Sequence, residues 1–280
     1  MVMGILNVTP DSFSDGGEWF EGQRAIDRAH AMIAEGADVV DVGGESTRPR
    51  AEPVPEDEEL RRVIPVIEAL AGEVRVSIDT TKPAVAEAAV QAGASLINDV
   101  SATLWPVAAR HGVGWVAMHR VGTPASMQDD PTYDDVVAQV SAMLVERATE
   151  ASRGGVAEVW IDPGIGFGKT IDHNLALLGS LDVLVDTGFQ VMVGTSRKSF
   201  LGALARSADG SVAPVTARLP GSLATVTWAM QQGARMVRVH DVAATVQAAT
   251  LIGRVSPADA ARGPGAARAH HRSRQPEVGA

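Results

Sequence analysis

The chain has no cysteine and one tyrosine, and aromatic residues make up only 4% of its 280 positions. Without cysteine there is no disulfide and no thiolate chemistry, so the simplest compartment is the cytoplasm. The few tryptophans are scattered and read as core or helix–sheet filler. No apolar run approaches the roughly 20 residues that a membrane span needs. The N-terminal MVMGIL carries no basic region and its apolar run breaks at Asn7, so no signal peptide is expected. Basic residues are the minority, with Lys+Arg 24 against Asp+Glu 34 and a formal net charge of −10. That sign repels nucleic acid and anionic membranes, but leaves room for a local basic pocket and an anionic substrate. The seven histidines show no metal-ligand spacing; His270 and His271 lie near the C-terminus, and His119 reads as shaping a rim.

What is present is a repeat. A short apolar run ends in a polar cluster eight times: at Asn7, Asp41, Asp79, Asn98-Asp99, His119, Asp162, Ser196-Arg197-Lys198 and His240. Continuous apolar runs alternating with helical spacing describe buried parallel strands in βα units. Eight units predict an α/β chain folded as a (β/α)8 TIM barrel of one domain, residues 1–258, with a disordered tail over 259–280. The expected strands cover 2–6, 38–42, 74–78, 95–97, 114–118, 158–161, 190–193 and 235–239. The expected helices cover 24–35, 56–70, 83–91, 134–153, 174–186, 222–232 and 242–252, and the weakest helical stretch is 104–111, which is short and carries Pro106. Three long polar loops, 7–23, 43–55 and 120–133, follow strand ends, where such loops are usually functional.

In this fold, polar groups at strand ends converge on one mouth. Asp79, Asn98, Asp162 and Lys198 supply carboxylates for paired N–H groups, an amide and a cation, a set suited to a flat, nitrogen-rich heterocycle. Arg48, Arg238 and His240, with Ser46 and Thr47, come from loops that are neighbours in a closed barrel and make a phosphate or diphosphate site. The competing reading is structural ion pairing and capping. Asn7 could join phosphate oxygens and water around Mg²⁺, or cap a turn. Ser196 to Lys198 open a helical stretch suited to a carboxylate. The stretch 163–170 resembles a P-loop, but Pro163 stands where the first glycine belongs.

Several of these runs together resemble dihydropteroate synthase, a family of pterin-binding enzymes. They are MGILNVTPDSFSDGG from Met3, DVGGESTRP from Asp41, SIDT from Ser77, NDVS from Asn98, Met118-His119, DPGIGFGK from Asp162, SRKSFLG from Ser196 and Arg238-Val-His240. The resemblance covers about residues 3–252. It implies a transferase of folate biosynthesis, the target of sulfonamides, which joins 6-hydroxymethyl-7,8-dihydropterin diphosphate to 4-aminobenzoate with release of diphosphate. It further implies that Asp79, Asn98, Met118, Asp162, Gly194 and Lys198 bind the pterin, and that Thr47, Arg238 and His240 bind the diphosphate. Phe13, Ser46, Arg48, Pro49, Phe167, Ser196 and Lys198 would surround the aminobenzoate, and Asn7 would coordinate Mg²⁺. Catalysis would fall to Asp79, Lys198, Arg238 and His240. A homodimer is also implied. Two departures stand out. Ala102 occupies a place where the family commonly has glycine, and the stretch 103–112 is short. The rival readings are a pterin-dependent methyltransferase and a catalytically silent pterin-binding scaffold.

Overall fold

The computed structural model describes residues 1–9, 18–46, 53–122, 127, 131–206 and 210–255. The candidate residues Phe13, Thr47, Arg48 and Pro49 lie outside the described residues, as does the expected tail. Eight parallel strands close into a barrel in chain order. They are β1 Val2–Asn7, β2 Val39–Gly43, β3 Arg75–Asp79, β4 Leu96–Asp99, β5 Gly114–Met118, β6 Val159–Asp162, β7 Gln190–Val193 and β8 Met236–Val239. Between and after them run α1 Glu18–Ala34, α2 Glu56–Leu70, α3 Pro83–Gln91, α4 Trp105–His111, α5 Val136–Arg153, α6 Ile171–Gly179 and α7 Leu181–Val185. Then come α8 Ser199–Leu204, a 3₁₀ turn at Val215–Ala217, α9 Leu219–Gln231 and α10 Val242–Val255. Among the described residues no helix is long and apolar enough to cross a membrane.

The strands read as continuous apolar runs because both of their faces are buried. Outward residues such as Val40, Ile78, Ile97 and Ile161 join one large core with Val63 and Ile67 of α2 and Leu144 of α5. Inward residues Met3, Val39, Leu96, Val116, Trp160, Met192 and Met236 form a second apolar cluster that plugs the barrel. Side chains of a strand alternate faces, so the residue two positions on shares the inward direction. Two on from those seven come Ile5, Asp41, Asn98, Met118, Asp162, Gly194 and Arg238. The apolar plug is thus capped by a mostly polar layer at the C-terminal strand ends. Register agrees: Asn7 pairs with Gly43, Gly43 with Asp79, and Asp79 with Asn98.

Asp99, beside Asn98 on β4, organises the short fourth unit. Its fully buried carboxylate accepts the N–H groups of Ser101 at 2.8 Å, Thr103 at 2.7 Å and Leu104 at 2.6 Å, and the Trp115 indole at 3.1 Å. This network forms α4 despite its length. Ala102, within the same turn, has a left-handed φ of 54° and a buried methyl. That conformation costs an L-residue about 1–2 kcal/mol and costs glycine nothing.

Two expectations are corrected, the first being that α1 starts at Glu18, inside the expected polar loop 7–23, and not at 24. The helix expected over 174–186 is two helices that meet at Ser180, which has φ −124° and ψ 33°. Gly179 weakens helix propensity there, and the Trp228 indole takes the Leu178 carbonyl at 2.7 Å. That bond satisfies a carbonyl left over at a helix end. The first of the two also starts earlier than expected, at Ile171. Thr170 caps it by accepting the His173 N–H, while the His173 ring accepts the Thr170 N–H.

Asp99→Asn places a donor where one carboxylate oxygen now accepts. It is expected to lower stability by about 3 kcal/mol, or roughly 6–12 °C in Tm for a domain of this size, as thermal melting would show.

Candidate active site

Above the apolar plug lies a cleft of about 500 Å³. Asp79, Asn98, Met118, Asp162, Gly194 and Lys198 all line it, and so do Asn7, Ser46, Phe167, Ser196, Arg238 and His240. Every candidate residue that is described therefore faces one space.

Its centre is ionic. Arg238 donates Nε to Asp41 Oδ2 at 2.6 Å and Nη2 to Asp79 Oδ2 at 2.7 Å. Asn98 donates Nδ2 to the same Asp41 oxygen at 2.9 Å, which leaves the Asn98 amide oxygen to accept from a ligand. Asp41 Oδ1, Asp79 Oδ1 and Ser77 Oγ are buried, with no hydrogen-bond partner among the described residues. Burial pushes Asp79 up to about 7, against the pull of Arg238 and helped by the nearby Asp41 charge. Arg238 loses by desolvation but gains more from its two carboxylates, so its pKa is raised.

On the far wall, burial also raises Asp162, opposed by Lys198 and by the Gly164 N–H, which donates at 2.7 Å. Lys198 is lowered to about 8 by burial, with Asp162 pulling the other way. Its ammonium lies 4.6 Å from the centre of the Phe167 ring and donates to the Ile165 carbonyl. The position before it, Arg197, takes a left-handed φ of 58°. Three contacts hold that backbone: Arg197 Nε to Asp241 at 2.9 Å, Arg197 N–H to Ser222 at 2.9 Å, and Arg218 Nη1 to the Arg197 carbonyl at 3.0 Å. Ser196 Oγ accepts the His240 N–H at 3.1 Å and shares a hydrogen bond with His240 Nδ1 at 3.0 Å, joining the ends of β7 and β8. The helix expected after Lys198 is present, but α8 has only six residues and so carries little macrodipole.

The P-loop look-alike is a backbone device. Gly164, Gly166 and Gly168 all have positive φ, and a Cβ on Gly164 would stand 1.9 Å from the His119 carbonyl. Buried Lys169 fastens the loop by donating to the Gly164 carbonyl at 3.1 Å, the Phe167 carbonyl at 3.0 Å and His119 Nδ1 at 3.0 Å. Burial lowers Lys169 to about 7 and His119 to about 3.

A sequence model of the family described as pterin binding enzyme matches residues 3–240. The chain belongs to this family. It is 46% identical over 261 residues to the dihydropteroate synthase of Mycobacterium leprae, covering 90% of this chain and 92% of that protein. It is 45% identical over 259 residues to the dihydropteroate synthase of Escherichia coli K12, covering 90% of each. Among solved structures, Xanthomonas albilineans dihydropteroate synthase with 4-aminobenzoic acid superposes with a TM-score of 0.81 at 47% identity, covering 89% of this chain and 90% of that one. The Thermus thermophilus enzyme in complex with 6HMPPP gives 0.77 at 42% identity, over 91% and 92% of the two chains.

Within the family site, three groups went unassigned in the sequence. Asp41 ends the second apolar run, and only its inward register reveals a partner for Arg238. Lys169 was visible as the last residue of a glycine loop, but its burial was not. Arg218, which lines the cleft, follows an irregular stretch with no periodic signal.

Asp79 generates a pH test. Its folded-state pKa of about 7 lies above the ordinary 3.8, so the folded protein holds a proton that the unfolded chain releases between those values. The contribution is present below the unfolded value and is lost as pH rises through about 7. Denaturant midpoints should therefore fall for the wild type, relative to Asp79→Asn, between about pH 4 and about pH 7. Parallel curves would contradict the assignment.

Proposed function

We propose that this chain condenses 6-hydroxymethyl-7,8-dihydropterin diphosphate with 4-aminobenzoate, giving 7,8-dihydropteroate and diphosphate. The observation that carries the reading is the convergence of Asp79, Asn98, Asp162 and Lys198 on the cleft that also holds Ser196, Arg238 and His240. The relatives named above are dihydropteroate synthases, and their solved complexes carry 4-aminobenzoic acid and 6HMPPP. The pterin ring offers an amino group and ring N–H groups to the carboxylates and the Asn98 oxygen, and a ring carbonyl to Lys198. Met118 packs on the ring, and glycine at 194 leaves room for it.

The substitution is dissociative. The bond between the pterin methylene and the diphosphate oxygen breaks with its electron pair on oxygen. The methylene cation spreads into the ring, and the ionised Asp79 stabilises it. His240 and the remaining Nη1 of Arg238 meet the departing charge, a role the family resemblance also gives to Thr47. The neutral amine of 4-aminobenzoate then attacks and releases a proton. Ser46, Phe167 and Ser196 hold its ring and carboxylate, and the family resemblance gives the same role to Phe13, Arg48 and Pro49.

Mg²⁺ fits this donor set. Asn7, half-buried on the cleft wall, offers an amide oxygen, and the described residues contain no cluster of three histidine or carboxylate ligands. A site of that kind suits an ion that takes its other ligands from diphosphate oxygens and water. When bound, the ion neutralises charge on the leaving group. The same reading places the protein in the cytoplasm as a homodimer, which light scattering would test.

Release of inorganic diphosphate from pterin diphosphate, 4-aminobenzoate and Mg²⁺ separates this reaction from methyl transfer and from a silent scaffold. Lys198→Ala should lower kcat/KM about 100-fold, and Asp79→Asn should lower kcat more than pterin affinity. Equal losses in both quantities would remove the transition-state role of Asp79.

A further inference from the structure

The segment after β2 is fastened to the fold at three consecutive points before it reaches the cleft. Gly44 lies so close to α2 that a Cβ there would stand 2.8 Å from Val63 Cγ1 and 2.9 Å from Glu59 Cγ. The Gly44 carbonyl accepts from Arg62 Nη1 at 2.9 Å, and Arg62 is itself braced on Glu58 at 2.6 Å. The next residue, Glu45, shares the Lys82 ammonium with Glu59 of α2. Ser46 follows and lines the cleft.

Lys82 is well placed for this. It immediately precedes α3, three positions after Asp79, and its N–H bonds to Thr80 Oγ1 at 3.2 Å. Glu59 is buried, with 1% of its side chain exposed, whereas Glu45 is 23% exposed. A purely structural ion pair would be complete with Lys82 and Glu59. The third member lies on the segment that carries Ser46. Burial works against the Lys82 charge, but the hydrogen bonds from Glu45 and Glu59 outweigh it and raise its pKa.

We propose that Lys82 is a positioning residue: through Glu45 it sets the place of Ser46 on the cleft wall, and this tie tunes the 4-aminobenzoate side of the site. The kinetic part of this rests on the proposed reaction.

Glu45→Gln is the sharpest test, because it cuts the tie to Ser46 while leaving Lys82 on the buried Glu59. Thermal melting should stay within roughly 3 °C of wild type. The KM for 4-aminobenzoate should rise about tenfold, while the calorimetric Kd for 6-hydroxymethylpterin, which lacks the diphosphate, should stay within about twofold. Lys82→Arg, which can still reach both carboxylates, should recover most of the aminobenzoate effect that Lys82→Met shows. Amide hydrogen exchange at Gly44 to Ser46 needs no turnover and should quicken in Glu45→Gln. It therefore separates a failure of this proposal from a failure of the reaction assignment. Unchanged exchange, an unchanged aminobenzoate KM, or equal losses for both ligands would overturn the proposal.

Discussion

One guanidinium lies between two carboxylates at the centre of this barrel, and the rest of the site is arranged around it. Arg238 from β8 reaches Asp41 on β2 and Asp79 on β3, and Asp41 in turn orients Asn98 on β4. Four strands are thereby joined above the apolar plug by hydrogen bonds that are nearly sealed from water. Such a network rigidifies when its members are satisfied and is costly when one is removed. It also has chemical consequences. Asn98 keeps its oxygen and one N–H, and among the described residues neither the buried second oxygen of Asp79 nor Arg238 Nη1 has a hydrogen-bond partner.

The same burial explains how a chain of net charge −10 can receive an anionic substrate. Arg197, Lys198, Arg218 and Arg238 line a single cleft, so cationic donors are concentrated there beside the carboxylates Asp79 and Asp162. Desolvation moves Asp79 up to about 7 and Lys198 down to about 8, toward each other and toward neutral pH. Lys169 is lowered as well, yet it is occupied in closing the glycine loop. Perturbed groups are therefore not all chemical. Asp79 and Lys198 face the cleft, whereas the bonds of Lys169 are spent on backbone carbonyls and a histidine ring.

The barrel was legible because each strand is an apolar run, buried on both faces, that holds or is closely followed by a polar residue at its C-terminal end, a pattern that needs no tertiary information. The converging residues were legible for the same reason. Asp79, Asn98 and Asp162 stand at strand ends, and a closed barrel leaves them only one mouth to share. The ion pairs were not legible. Whether Arg238 meets a ligand or Asp41 depends on the register between β8, β1 and β2, which the order of residues does not state. The break at Ser180 escaped because leucines continue on both sides of it with helical spacing. Lys82 and Glu45 escaped because each lies in an irregular segment and they are 37 residues apart.

The most direct test of the central ion pair is a double-mutant cycle on folding stability with Asp41→Asn and Arg238→Met. Arg238→Met alone should cost about 3–5 kcal/mol, since it leaves two buried carboxylates without a cation. The double variant should cost less than the sum of the single variants by about 2 kcal/mol. Additivity within about 0.5 kcal/mol would mean that the two side chains do not interact in solution, and would contradict the account.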